Sequence, residues 1–277
     1  MGACSTIFLY DEPRCEALSL RRVAAYLREG VGAQVEERPD IFAHWSARTG
    51  TADQAAISSL AERIARAKVR NLSGGADHFP MLQGEIDFEL RRLQGQDVRA
   101  FGYLYDGGKV AAVYAELIDP SEAADLHIVF TNQLVGTWDP GDRRYHARTI
   151  ICSYPVLIST SGLVEAPARP REYYLLRQQY ISLGLSDAAE IDLGPRMAET
   201  CLFHDDPKLT EVAKGYALQA VFYHATGDPF CSDPGCRLFN AHWQKDMLYA
   251  QLGSPYELCP AHERALAALK EGTCTPE

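Results

Sequence analysis

The sequence contains no apolar run near the roughly 18 residues that a membrane-crossing helix needs, so no membrane partner is expected. It also lacks an excess of positive charge. Its 27 Lys and Arg stand against 37 Asp and Glu, a formal net charge of −10. That balance excludes a nucleic-acid binder held by bulk electrostatics, and no nucleic-acid partner is expected. No Gly-x4-Gly-Lys-Ser/Thr or Gly-x-Gly-x-x-Gly pattern occurs, and Asp106-Gly107-Gly108 reads as a hairpin turn rather than a phosphate loop. The Gly-x-Ser-x-Gly elbow of a serine hydrolase is missing too. There is no internal repeat and no low-complexity tract. Met1 to Tyr10 carries no basic segment ahead of its short apolar run, so a secretory leader is not expected and the default location is cytoplasmic.

What is present is ordinary globular chemistry: 277 residues, 47% hydrophobic and 23% charged, enough for a sizeable core in two parts. Ser5 to Tyr10 reads as a strand, and Leu18 to Glu29 has helical spacing at Leu20, Val23, Ala24 and Leu27. A strand around Gln34 to Glu37 and a helix over Ala52 to Val69 complete a β-α-β-α opening. Asn71 to Pro80 has loop composition. Val98 to Ile118 holds two strand-like runs around Asp106-Gly107-Gly108. Strands are expected at Leu126–Phe130, Thr149–Ile151 and Val156–Thr160, and helices at Arg171–Leu183, Lys208–Thr226, Phe239–Leu252 and Ala261–Lys270. Gly227 is placed to end the helix at Lys208–Thr226, and Asp205-Asp206 to cap its start. The expected fold is α/β: a small α/β unit over residues 1–95, then a sheet, a long helix and a helical C-terminal subdomain over 96–277.

Eight cysteines occur, and three of them fall close to the C-terminal end of the long helix: Cys231-x4-Cys236 and Cys259-x2-His262. Two short chelating turns joined by a helix-length segment are what a tetrahedral structural zinc requires. Cys231, Cys236, Cys259 and His262 are therefore the candidate metal ligands, with His242 the rival to His262 as the fourth, and one zinc per chain is expected. Thiolate and neutral imidazole must lose protons to bind, so such a site weakens in acid. Cys152 lies in an apolar run and reads as a small buried hydrophobe.

From Ala220 to His262 the chain resembles the end of an archaemetzincin, a member of the metzincin clan of zinc peptidases. That family carries H-E-x-x-H-x-x-G-x-x-H on its active-site helix, then Cys-x4-Cys-x-Met and a later Cys-x-x-Cys. Here Cys231-x4-Cys236 matches the first pair and Cys259-x2-His262 the second, with His in place of its last Cys. His224 falls on the second catalytic His and Gly227 on the Gly. The strands at 126–130 and 149–160 resemble the sheet that precedes that helix. The resemblance implies a metzincin-like twisted mixed sheet with a long helix and a zinc-bound C-terminal subdomain. The departures matter as much. Ala220 holds the first His position, Val221 the general-base Glu, Phe230 the third His and Leu238 the Met. A hydrolytic zinc needs about three protein ligands, a water and a carboxylate to take its proton. The resemblance therefore implies a metallopeptidase homologue that keeps the structural zinc, lacks the standard hydrolytic site and uses the old cleft for binding.

Two alternatives stand beside it. One is an active zinc hydrolase with relocated ligands drawn from His224, His146, His242 and Glu165, the last also a possible acid–base partner of His146. The other is a zinc-stapled intracellular interaction module. Arg144, Arg148, Arg169 and Arg171 flank the strands at 149–160, where they are placed either to gather a peptide or small anionic ligand or to pair with the abundant acids.

Overall fold

Ile7 and Leu9 alternate with Phe8 and Tyr10 along the first strand, so both of its faces are apolar and both need cover. The computed structural model, which describes residues 6–50, 53–74, 80–96 and 102–271, provides that cover with two helical layers. The strands are β1 (Thr6–Tyr10), β2 (Gln34–Arg38), β3 (Leu104–Asp106), β4 (Leu126–Thr131), β5 (Leu134–Asp139), β6 (Arg144–Arg148), β7 (Ile150–Ile151) and β8 (Val156–Ser159). The helices are α1 (Leu20–Val31), α2 (Ile41–Thr49), α3 (Gln54–Arg66), α4 (Gln83–Leu93), α5 (Gly107–Ala115), α6 (Thr160–Glu165), α7 (Arg171–Ser182), α8 (Ser186–Arg196), α9 (Leu209–Thr226), α10 (Gln244–Leu248) and α11 (Pro260–Lys270).

The main sheet runs β2-β1-β4-β8-β7. Its first four strands are parallel, and β7 pairs antiparallel with β8 at the edge. This is a mixed α/β architecture with a long helix against one face. Ile7, Leu9, Ile128, Phe130 and Ile158 face α1 and α9. Phe8, Tyr10, Val129 and Leu157 face the layer that contains α3 and α5. β1 lies between β2 and β4, so strands from both sides of residue 95 are hydrogen-bonded in one sheet. A second sheet, β3-β5-β6, carries an antiparallel hairpin that leads straight into β7. No helix among the described residues is long and apolar enough to cross a membrane.

The expected hairpin at Asp106-Gly107-Gly108 is a helix start instead. The Asp106 carboxylate accepts the Lys109 N–H at 3.1 Å, and Val110, Ala111, Val113 and Tyr114 then face the core at helical spacing. The start of that expected strand pair, 98–101, lies outside the described residues, as does 75–79 of the expected loop. The expected helix over 239–252 is divided: α10 passes into a wide π-type turn at Tyr249–Gly253. Asp206 accepts the Lys208 N–H at 2.9 Å just ahead of α9, but no side chain caps the helix itself, so the cap expected of the acid pair is not formed. Gly227 ends α9 in the left-handed conformation, φ 79°, with its N–H on the Tyr223 carbonyl.

α4 carries a buried charge cluster. Glu89 has no exposed surface; Lys68 Nζ lies 3.2 Å and Arg92 Nη1 2.9 Å from its carboxylate, and Tyr105 Oη donates to it at 2.6 Å. Arg92 Nη2 continues to Asn132 Oδ1, whose backbone N–H is taken by Glu12. These bonds tie α4 to the ends of β1, β3 and β4.

At the opposite end of β4, His127 stacks on Phe8 with ring centres 4.9 Å apart. Its Nδ1 lies 3.1 Å from Tyr10 Oη, and its Nε2 2.9 Å from the Glu122 carbonyl. Burial pushes His127 below its ordinary 6.5. The unfolded chain therefore takes up this proton at a higher pH than the folded chain. Stability from the neutral ring is complete above 6.5 and is lost as pH falls through the lower folded value. The thermal midpoint of the wild type is expected to fall over that mildly acidic window, with a shallower fall in His127→Gln. Equal slopes in a circular-dichroism titration would remove His127 from the account.

Candidate functional site

The Cys231–Cys236 turn follows α9 directly. Cys231 N–H donates to the Leu238 carbonyl and Cys236 N–H to the Asp233 carbonyl, which folds the segment back on itself. Asp233 fixes the turn by accepting the Gly235 N–H and the Tyr256 hydroxyl, both at 2.9 Å. A Cβ at Gly235 would overlap that tyrosine hydroxyl, so any larger residue there would displace the Tyr256 side chain. Cys259 stands at the N-terminus of α11 and places His262 within the first turn.

These two turns bring four donor atoms together. Cys231 Sγ and Cys259 Sγ are 3.9 Å apart, Cys236 Sγ and His262 Nδ1 3.8 Å, and Cys259 Sγ and His262 Nδ1 3.1 Å. All four lie within 4.8 Å of one another. A tetrahedral zinc, with Zn–S near 2.3 Å and Zn–N near 2.0 Å, sets its ligand atoms about 3.5–3.8 Å apart. The donor set and spacing fit that ion. His262 completes the quartet, and His242 does not belong to it. Burial opposes the Cys259 thiolate, but N–H groups of His262 and Ala261 outweigh it and lower that thiol below its ordinary value. Burial pushes Cys236 up to about 12. Behind the donors, Leu218, Phe222, Leu238 and Leu258 form an apolar backing, with the His262 ring edge-on to Phe222 at 5.4 Å.

A cleft of about 440 Å³ opens between the β6–β7 edge and α9. His146, Arg148, Tyr216, Gln219, Phe230 and His242 line it. Gln219 is fully buried, and neither its amide nitrogen nor its oxygen has a partner. Tyr216 is held up to about 12 by burial, partly offset by a hydrogen bond from Thr149.

The remaining sequence candidates disperse. Ala220 and Val221 are buried and apolar, on the stretch of α9 against the sheet. His224 is not part of the cleft wall; burial lowers its pKa, partly offset by the charge of Asp125. Glu165 pairs with His204 at 3.3 Å and not with His146, whose Nε2 is 2.9 Å from Asp142 Oδ2. Among the described residues only one other group of three ligand types converges, Asp139, Asp142 and His146 on the β5–β6 hairpin, and neither His224 nor His242 joins it. The four arginines do not gather either. Arg148 reaches the cleft and bonds Thr137 Oγ1. Arg144 is exposed at the other end of β6. Arg169 is buried, stacked on Tyr173 and Phe203 and bonded to the Val164 and Leu202 carbonyls. Arg171 is exposed at the start of α7. Sequence reasoning missed Gln219, whose only signal is a lone amide on the apolar stripe of a helix, and Asp139 with Asp142, which read as ordinary turn residues.

A family model described as the Probable metallopeptidase family (DUF6775) matches residues 3–269. No curated protein and no solved structure matches the chain.

Proposed function

Since the chain belongs to this Probable metallopeptidase family over nearly its whole length, we propose that it is a metallopeptidase homologue with a structural zinc on Cys231, Cys236, Cys259 and His262 and a cleft that binds peptide without cleaving it. The observation that carries this is the contrast between two neighbouring places. Three thiols and an imidazole stand within 4.8 Å of one another beyond α9, while α9 itself presents Ala220 and Val221 where a hydrolytic zinc would need an imidazole and a carboxylate. One imidazole, His224, cannot hold a metal there alone. The archaemetzincin resemblance supports the same division.

The cleft suits an extended peptide. β7 ends the sheet and forms one wall, Gln219 offers a donor and an acceptor to main-chain groups, and Arg148 supplies a cation for a carboxylate. Zinc on thiolates would supply tethering, not chemistry. None of the six described cysteines is paired in a disulfide, which leaves Cys231, Cys236 and Cys259 available to a metal. A second reading, an active zinc hydrolase with relocated ligands, rests on one observation: His146 lines the cleft and also stands within a group with Asp139 and Asp142.

Elemental analysis and a peptide-cleavage screen separate the two. One zinc per chain is expected, retained in His224→Ala and His146→Ala and lost in His262→Ala. No cleavage is expected with or without added zinc. Activity that disappears with chelator and returns with zinc, or a second zinc lost with His146→Ala, would overturn the proposal in favour of the second reading.

A further inference from the structure

The three sulfurs of the Cys/His quartet differ in access. Cys231 is half-buried, Cys259 is 8% exposed and Cys236 is fully buried. Cys231 is therefore the sulfur that a small solute meets first. It accepts the Asp233 N–H at 3.3 Å and lies 3.9 Å from the Cys259 Sγ, while Cys236 lies behind with its sulfur 3.8 Å from His262 Nδ1. Cys231 and Cys259 are 28 positions apart in the chain, one just past α9 and the other at the N-terminus of α11. Bonded sulfurs stand about 2.05 Å apart, so this pair has only about 2 Å to close.

The other described cysteines are poor targets for oxidation. Burial raises the thiols of Cys15 and Cys201 above their ordinary value and pushes Cys152 up to about 11, so all three stay protonated near neutral pH. Sulfur bound to zinc is thiolate, the form that attacks peroxides and disulfides. A zinc on the quartet thus gathers the reactive sulfur of the described residues at one place, with Cys231 toward solvent and Cys259 within reach behind it.

We propose that the quartet is a peroxide-sensitive staple: hydrogen peroxide joins Cys231 to Cys259 as a disulfide and expels the zinc. The inference rests on the structural zinc proposed above and adds what removes it. The Cys231 thiolate attacks one peroxide oxygen; an S–O bond forms, the O–O bond breaks and hydroxide leaves. The Cys259 thiolate then attacks the Cys231 sulfur; the S–S bond forms, the S–O bond breaks and a second hydroxide leaves. The two sulfurs lose two electrons and the peroxide gains them, ending as two waters once solvent protonates the hydroxides. Zinc is left with Cys236 and His262, too few ligands to hold it. The disulfide links the same two segments that the metal linked, so α11 stays fastened while the metal is set free.

Titration of the full, zinc-loaded chain with hydrogen peroxide tests it. Released zinc is read with a metallochromic dye, thiols and disulfides are mapped by alkylation and mass spectrometry, and α11 is followed by hydrogen exchange. Bound zinc is expected to fall at least about tenfold, with one disulfide formed per zinc released. That disulfide should join Cys231 to Cys259, and Cys236, Cys15, Cys152 and Cys201 should still alkylate once the chain is unfolded. α11 should keep its protection, and dithiothreitol with added zinc should restore the metal. Zinc retained while peroxide oxidises other residues, a disulfide from Cys236, release with sulfinic acids and no disulfide, or loss of α11 protection on oxidation would each overturn the staple and leave the structural zinc standing. A chain that holds no zinc even when zinc is supplied would overturn both.

Discussion

Cys236→Ser is expected to release the zinc and to lower the thermal unfolding midpoint by more than about 10 °C, a loss of several kcal/mol in a chain of this size. Cys236 is fully buried among Leu218, Phe222 and Leu258, so the variant leaves three ligands and a hydroxyl in an apolar setting. Serine is a poor zinc ligand, and the remaining thiolates would then have to be neutralised or exposed. The effect should concentrate in the C-terminal segment. α11 is 11 residues long and buries none of them completely, too little to hold a helix by packing alone. Ala265, Leu266 and Leu269 pack only partly buried against the cluster behind the quartet, and its first turn carries Cys259 and His262, so a metal bound there would fasten it. Hydrogen exchange should show α11 losing protection in Cys236→Ser while β1 and β4 keep theirs. Cys152→Ser, outside the quartet, should keep the metal and the midpoint. A Cys236→Ser protein with its zinc and its midpoint intact would dispose of the structural-zinc reading.

Glu89→Ala is expected to cost about 3–5 kcal/mol, because it strands two buried cations, Lys68 and Arg92, without their shared anion. In midpoint terms this is roughly 6–20 °C for a chain of this length. The exposed pair Arg63 with Glu116 provides the contrast: Arg63→Ala should cost less than about 1 kcal/mol, because water already solvates both groups. The double variant Lys68→Met with Glu89→Met should lose less than Glu89→Ala, since it removes one of the stranded charges along with its partner. Chemical denaturation with all three variants measures the differences. Glu89→Ala within about 1 kcal/mol of wild type would mean that water or local rearrangement reaches the cluster.

Some of this was written locally. The periodicity of Leu20 to Leu27 placed α1, because that helix has one stripe to bury, and the long apolar run from Leu209 placed α9, which is buried on nearly every side as far as Phe222. The alternating, β-branched runs placed β1, β4 and β8. The short cysteine spacings placed the candidate zinc ligands, because chelating turns are closed by residues a few positions apart. Other elements carried local signals that were outweighed. Asp106-Gly107-Gly108 suits a turn, yet the same aspartate caps a helix whose spacing is plain once residues 110–114 are counted. α2 and α4 were not legible from periodicity, although Asp40 and Glu85 stand at their starts as capping residues.

The sequence by itself determined the acidic balance, the main strands and long helices, and a quartet of metal-ligating residue types around one tight turn and one helix start. Only the tertiary structure decided that His262 rather than His242 joins the cysteines, that Glu165 meets His204, that Arg169 is consumed by the fold, and that Glu89 is the centre of a buried charge cluster. The reason is chain separation. Partners a few residues apart are fixed by local geometry, whereas Lys68 with Glu89, or Arg14 beside Arg92, are brought together by how strands and helices stack, which no short-range pattern encodes.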